Sequence, residues 1–229
     1  MSEQVKAVVL AAGKGTRLQQ EGITLPKVMR LAAGRPLLSY VLEALDFLPK
    51  EDTVLVVGYQ KEAVLAAYPD YPCAEQAQQL GTGHAVQCAA GALEHFDGHV
   101  LVCCGDMPLM KKETYQSLVK THLAEGNLCT LLSGYSEEEL PYGRIVRDGE
   151  GLFARIVEDK DCTPEEKAIR ELNAGVYLFH APELLDCLSK LRCDTAQGED
   201  YLTDVPALLL AILIALSRLY VGVHYPTDV

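Results

Sequence analysis

Hydrophobic and polar positions alternate in blocks along the first half of the chain. Residues 5–10, 54–57 and 100–104 are short apolar runs rich in β-branched side chains, the pattern of strands buried on both faces. Between them, residues 36–48, 61–68 and 82–93 carry apolar residues at helical spacing. Strands alternating with helices predict an α/β fold, a doubly wound and mainly parallel Rossmann-like sheet covered on both sides. Ligands of such sheets bind in the crevice beyond the carboxyl ends of the strands. Two glycine-bearing segments, 10–17 and 105–109, fall at such ends and are expected to share one site.

From residue 142 the blocks shorten. Residues 144–147, the turn Asp148-Gly149-Glu150-Gly151 and residues 153–157 predict a hairpin, and with it a small β-rich lobe that walls a substrate. Residues 207–216 then form an unbroken apolar run. Such a run is too short to cross a bilayer, so a core helix is expected rather than membrane insertion. The organisation expected is a domain over 1–207 followed by an anomalous tail over 208–229.

Composition narrows the partners. A chain of 229 residues is ample for one buried core. Its net charge of -12 opposes binding to nucleic acid or anionic lipid surfaces. Between residues 4 and 42 the balance reverses, because Lys6, Lys14, Arg17, Lys27, Arg30 and Arg35 face only Glu21. That local excess suits a small phosphorylated ligand. The eight cysteines form no C-x-x-C pair and no zinc-spaced cluster, and they read as reduced thiols. The polar start runs directly into a strand, so no signal peptide is expected and a cytoplasmic location is.

Gly13 and Gly15 allow the backbone after the first strand to approach a ligand and to form an anion-binding nest. Residues 10–18, followed by Leu25-Pro26-Lys27, resemble the opening pattern of the sugar nucleotidyltransferases, L-A-A-G-x-G-T-R-(L/M) and L-P-K. The resemblance implies that Leu10, Ala11, Ala12 and Gly13 border the nucleotide. It also implies that Arg17 holds the β- and γ-phosphates and that Lys27 reaches the α-phosphate and the incoming sugar phosphate. Gln76-Ala77-Gln78-Gln79-Leu80-Gly81-Thr82-Gly83-His84-Ala85 resembles the Q-x-x-Q-x-G-T-G-H-A block of bacterial N-acetylglucosamine-1-phosphate uridyltransferases. By that likeness Gln76, Gly81 and Thr82 read the uracil edge. His84 reads as a helix-start residue making a local hydrogen bond rather than as a catalytic base.

Gly105-Asp106-Met107-Pro108-Leu109 is similar to the family's G-D-x-P-L, whose aspartate binds Mg²⁺. A hard cation bridging phosphate oxygens needs carboxylate oxygen, which Asp106 can supply. Further on, Y-G-R-I, I-V-E-x-K-D and E-x-N-x-G have counterparts that imply Gly143, Glu158 and Asn173 as holders of sugar and ribose hydroxyls. Thr203, in a segment like G-E-Y-Y-L-T-D, is added to them. The resemblance thus implies a catalytic set of Arg17, Lys27 and Asp106. Its substrates would be UTP and N-acetylglucosamine 1-phosphate, with release of pyrophosphate in cell-envelope precursor synthesis.

Past residue 207 the likeness stops. The family has there a strand and an asparagine that gives Mg²⁺ a second protein ligand, and neither is expected here, since Asn127 and Asn173 are the only asparagines. Residues 217–228 instead resemble the last motif, S-R-x-x-x-x-x-H-x-x-x-D, of a membrane-associated phosphatase family. No K-x-x-x-x-x-x-R-P or P-S-G-H element accompanies it, so His224 is not expected to work as a phosphatase nucleophile. The acetyltransferase repeats of bifunctional relatives are not expected here either. Two further readings stand beside the first: a catalytically weak nucleotide-binding module, and a nucleotidyltransferase for another hexose 1-phosphate.

Overall fold

Valine-rich strands meet in the middle of a nine-stranded sheet. The computed structural model describes residues 3–15, 25–191, 199–216 and 222–224. Its first strand, β1 (Val5–Leu10), ends at the glycine turn. A small ribbon of β2 (Leu31–Ala32) and β3 (Arg35–Pro36) leads into α1 (Leu37–Ala44). Then follow β4 (Thr53–Val57), α2 (Lys61–Ala67), β5 (Cys73–Glu75), α3 (Thr82–Cys88) and β6 (His99–Cys104). After them come α4 (Lys112–Glu125), β7 (Cys129–Tyr135), β8 (Arg144–Arg147) and β9 (Phe153–Val157). A short α5 (Pro164–Lys167) precedes β10 (Glu171–His180) and α6 (Ala181–Lys190), and α7 (Val205–Leu216) and β11 (Gly222–His224) close the order.

The parallel part of the sheet runs β6-β1-β4-β5. Successive side chains leave a strand on opposite faces, so each run divides between two cores. Val8, Val54, Val56, Val100 and Val102 pack towards α3 and α6, while Ala7, Val9, Leu55, Leu101 and Cys103 pack towards α1 and α4. This double burial is why the strands read as continuous apolar runs. The α/β reading holds, with one addition: β10 inserts antiparallel between β6 and β7, and the predicted hairpin β8–β9 hangs from it.

Helix α7 continues through the boundary placed at residue 207 and buries Val205 and Leu209 against the rest of the core. No helix among the described residues is long and apolar enough to cross a membrane. The tail was expected to contain no strand, and this is corrected by β11, which pairs in parallel with β7. Without it β7 would be an edge, and the unpaired backbone of an edge accepts even a three-residue partner.

At the amino-terminal end of β6, three histidines from different elements are buried together. His122 of α4 has Nδ1 2.8 Å from Thr130 Oγ1 and Nε2 2.9 Å from His99 Nδ1, while His180 sits between Asp97 and Glu183. Burial, reinforced by His99 and His180, pushes His122 down from 6.5 to about 3. Its folded pKa lies below its unfolded one, so its contribution is intact above pH 6.5 and is lost as pH falls towards 3. Between pH 6.5 and about 3 stability is expected to decline by up to about 1.4 kcal/mol per pH unit. Urea midpoints at neutral and mildly acidic pH measure this, and His122→Gln, which cannot charge, should flatten the dependence.

Candidate active site

Backbone hydrogen bonds draw the carboxyl ends of β1, β4 and β6 into one rim. Ala11 N donates to Val56 O at 2.8 Å and Gly105 N to Leu10 O at 2.9 Å. Above this rim opens a cleft of about 690 Å³, a usual size for a small-molecule site. Leu10, Ala12, Gly13, Lys27, Gln76, Gly81, Thr82, Asp106 and Glu158, all singled out from sequence, line it.

Lys27 comes to the rim through the glycine turn. Gly15 has φ of +65°, and a Cβ there would stand 2.7 Å from Lys27 Cβ, so only glycine lets the two segments cross. Arg30 Nη2 fastens the turn by donating to Gly15 O at 3.2 Å. The Lys27 ammonium then pairs with the Asp106 carboxylate, with 36% and 20% of their side chains exposed. Arg17 lies outside the described residues. The broader cationic patch is corrected. Lys6 donates to Ala92 O and stacks over Phe96, and Arg35 pairs with Glu43, so neither serves the cleft.

The other wall is built on Gly81, whose φ of +105° and contact with Asp200 leave no room for a side chain. Asp200 N donates to Leu80 O at 2.7 Å, Gly83 N to Asp200 O at 2.8 Å, and Leu202 N to Thr82 Oγ1 at 3.0 Å. Gln76 is held against this wall by a hydrogen bond from its Nε2 to Gly81 O at 2.9 Å. His84 makes the expected local hydrogen bond, with Gln76 as its partner.

Four anticipated residues stand behind the lining. Ala11 is buried in the rim, while Asn173 N donates to Gly143 O at 2.8 Å and Asn173 Nδ2 to Tyr177 OH at 2.7 Å. Thr203 Oγ1 donates to Glu158 Oε1 at 3.0 Å and thus reaches the cleft through that carboxylate.

Residues 7–200 match the MobA-like NTP transferase domain. The chain belongs to that family. Relatives of this NTP transferase domain include the "Bifunctional protein GlmU" of Pelobacter propionicus, 46% identical over 90% of this chain and 45% of its own length. The protein of the same name from Streptomyces coelicolor is 46% identical over 88% of this chain and 42% of its own. The chain therefore spans less than half the length of these relatives. A crystal structure of UDP-glucose pyrophosphorylase complexed with UDP-glucose has the same fold. It shows a TM-score of 0.70 at 20% identity and covers 95% of this chain and 90% of that one.

The NTP transferase cleft also contains side chains that the sequence did not single out. Lys160 lines it two residues beyond Glu158, with Nζ 3.3 Å from Glu199 and 4.8 Å from the Tyr201 ring centroid. Its place in the same I-V-E-D-K-D segment was the available signal. Cys104 lines it too, and burial, reinforced by the Asp106 charge, pushes its thiol up to about 12. A thiol held that high stays protonated and is no nucleophile at neutral pH.

Burial also lifts Glu158 above the usual carboxylate range, against the opposing hydrogen bond from Thr203. A raised carboxyl pKa in the fold means that the ionised form costs stability at neutral pH, and the cost disappears as pH falls into the carboxylate range. Glu158→Gln keeps an oxygen for Thr203 and removes the charge. It is expected to raise Tm at pH 7.5 by about 2–4 °C, with a smaller gain at pH 5, read from thermal melts.

Proposed function

We propose that this chain transfers uridylyl from UTP to N-acetylglucosamine 1-phosphate, giving UDP-N-acetylglucosamine and pyrophosphate. The observation that carries this reading is one cleft containing a phosphate-type pair, Lys27 and Asp106, together with a base-type wall of Gln76, Gly81 and Thr82. Identity of 46% to bifunctional GlmU proteins over most of this chain supports the same substrates. The cytoplasm, expected from the sequence, is the proposed location.

In the reaction a phosphate oxygen of the sugar phosphate attacks the α-phosphorus of UTP. The bond from that phosphorus to the bridging oxygen breaks, and pyrophosphate leaves with the electron pair. Lys27 holds the α-phosphate and the incoming phosphate side by side, which brings two anions within reach of each other. Arg17 is assigned to the outgoing phosphates. Glu158, oriented by Thr203, accepts hydroxyl hydrogens of the sugar and ribose, with Gly143 and Asn173 supporting the same lobe. Catalysis is positional and electrostatic, and no covalent enzyme intermediate is needed.

Asp106 offers hard oxygen on the rim, and no cluster of three or more His, Cys, Asp or Glu able to hold a metal is found among the described residues. Asp106 would be the residue that holds Mg²⁺, a hard cation suited to carboxylate oxygen. When bound there, the ion neutralises charge on the phosphate oxygens.

The test is pyrophosphate release from each of the four nucleoside triphosphates with a panel of hexose 1-phosphates. UTP with N-acetylglucosamine 1-phosphate is expected to be the best pair, and equal use of all four triphosphates would sink the assignment. The single carboxylate at the metal position supports a second reading, a nucleotide-binding module of weak activity. Isothermal titration that shows UTP binding, paired with no pyrophosphate release, would favour that module.

A further inference from the structure

Gln76 is only 4% exposed, yet it forms part of the cleft wall. Its Nε2 lies 2.9 Å from Gly81 O and 3.1 Å from His84 Nδ1. A main-chain carbonyl can only accept, so the nitrogen end of the carboxamide must be the end that faces Gly81. The second hydrogen of the same nitrogen has His84 Nδ1 as its acceptor. Nδ1 is therefore the bare ring nitrogen, and the ring proton sits on Nε2, 3.9 Å from the soft acceptor Cys88 Sγ. Both donor hydrogens of Gln76 are spent inside the protein. What remains for a ligand is Oε1, which has no protein partner among the described residues and is not sealed from the cleft.

We propose that His84 is a specificity-determining positioning residue: by consuming the second N–H of Gln76 it makes that carboxamide a pure acceptor, which selects a base presenting an N–H. Uracil presents N3–H between two carbonyl oxygens. Cytosine presents a bare lone pair at the same atom, and two acceptors facing each other in a buried wall are left unpaired. Take His84 away and Gln76 keeps only its Gly81 anchor. One N–H is then free to turn to the cleft and serve cytosine N3. The inference rests on the uridylyl reading above, which by itself gives His84 no role.

The experiment compares kcat and KM for UTP and CTP in the unmodified chain, His84→Leu and His84→Asn. Leucine fills the space without an acceptor, whereas the asparagine Oδ1 can stand in for Nδ1. The preference for UTP over CTP is expected to fall about tenfold in His84→Leu, the worth of one hydrogen bond, with the loss in KM for UTP. His84→Asn should restore it. Equal losses for both nucleotides in His84→Leu, no loss at all, or no rescue by His84→Asn each overturn the proposal. A measurement independent of turnover is the ¹⁵N spectrum of the His84 ring, where an unprotonated Nδ1 is expected and a protonated one overturns the argument even if His84→Leu does not fold. If the unmodified chain releases pyrophosphate from UTP and CTP alike, the inference fails and uridylyl transfer survives as one activity. If it neither binds nor uses either nucleotide, that reading fails and the inference falls with it.

Discussion

Asp106→Asn should lower pyrophosphate release by about 10²–10³-fold, the usual loss when one electrostatic contact to a developing charge is removed. The substitution keeps the shape and deletes the charge. It also deletes the partner of Lys27, but a pair this exposed contributes at most about 1 kcal/mol, so Tm should move by no more than about 4 °C. A large kinetic effect with a small thermal one therefore separates a metal-binding role from a structural one. The Mg²⁺ concentration giving half-maximal rate should rise in the variant. Unchanged rate and unchanged Mg²⁺ dependence would remove Asp106 from the mechanism. A large fall in Tm would make it a fold residue instead.

Gly81→Ala should be the most damaging glycine-to-alanine change among the described residues. The new Cβ would stand 2.3 Å from Asp200 O and 2.8 Å from Asp200 N, at a φ of +105° that side chains rarely adopt. Backbone cannot yield as a flexible side chain can, so the cost combines strain with displacement of the Asp200 segment. About 3 kcal/mol is expected, which lowers Tm by about 6–12 °C. Because Gly81 O is also an anchor of Gln76, UTP affinity should fall beyond what the stability loss explains. Thermal melts with and without saturating UTP test both parts. An alanine variant that melts within 2 °C of the parent, a figure set at about the smallest shift of one kcal/mol, would refute the clash.

How much of this was legible in the sequence depended on whether a signal was local. The strands β1, β4 and β6 announced themselves because both of their faces are buried. β10, also buried on both faces, did not, since Asn173, Ala174 and Gly175 interrupt its apolar run where the pairing shifts register. The three-residue β11 is too short to carry any pattern. At the site, Lys27, Asp106 and the glycine turn were readable because strand-end loops keep their chemistry contiguous. Lys6 and Arg35 misled for the converse reason: Ala92, Phe96 and Glu43, which occupy them, are placed by the fold. Thr203 acts on the cleft through Glu158, 45 residues away in the chain, and spacing alone carries no trace of such a contact.

The hydrogen bonds tying Leu80 and Gly83 to Asp200 join positions far apart in the order of synthesis. A ribosome has delivered β1, β4 and β6 before Asp200 emerges, so the segment that closes the Gly81 wall is the later of the two to become available. Throughout that interval the rim carrying Lys27 and Asp106 can assemble, while the Gly81 wall lacks the segment that locks it. Non-local closures of this kind form slowly because the intervening chain must first be ordered. The nascent protein is therefore a phosphate-type rim with an open base side. On the uridylyl reading proposed above, the base side of the cleft closes only once the segment around Asp200 has joined it.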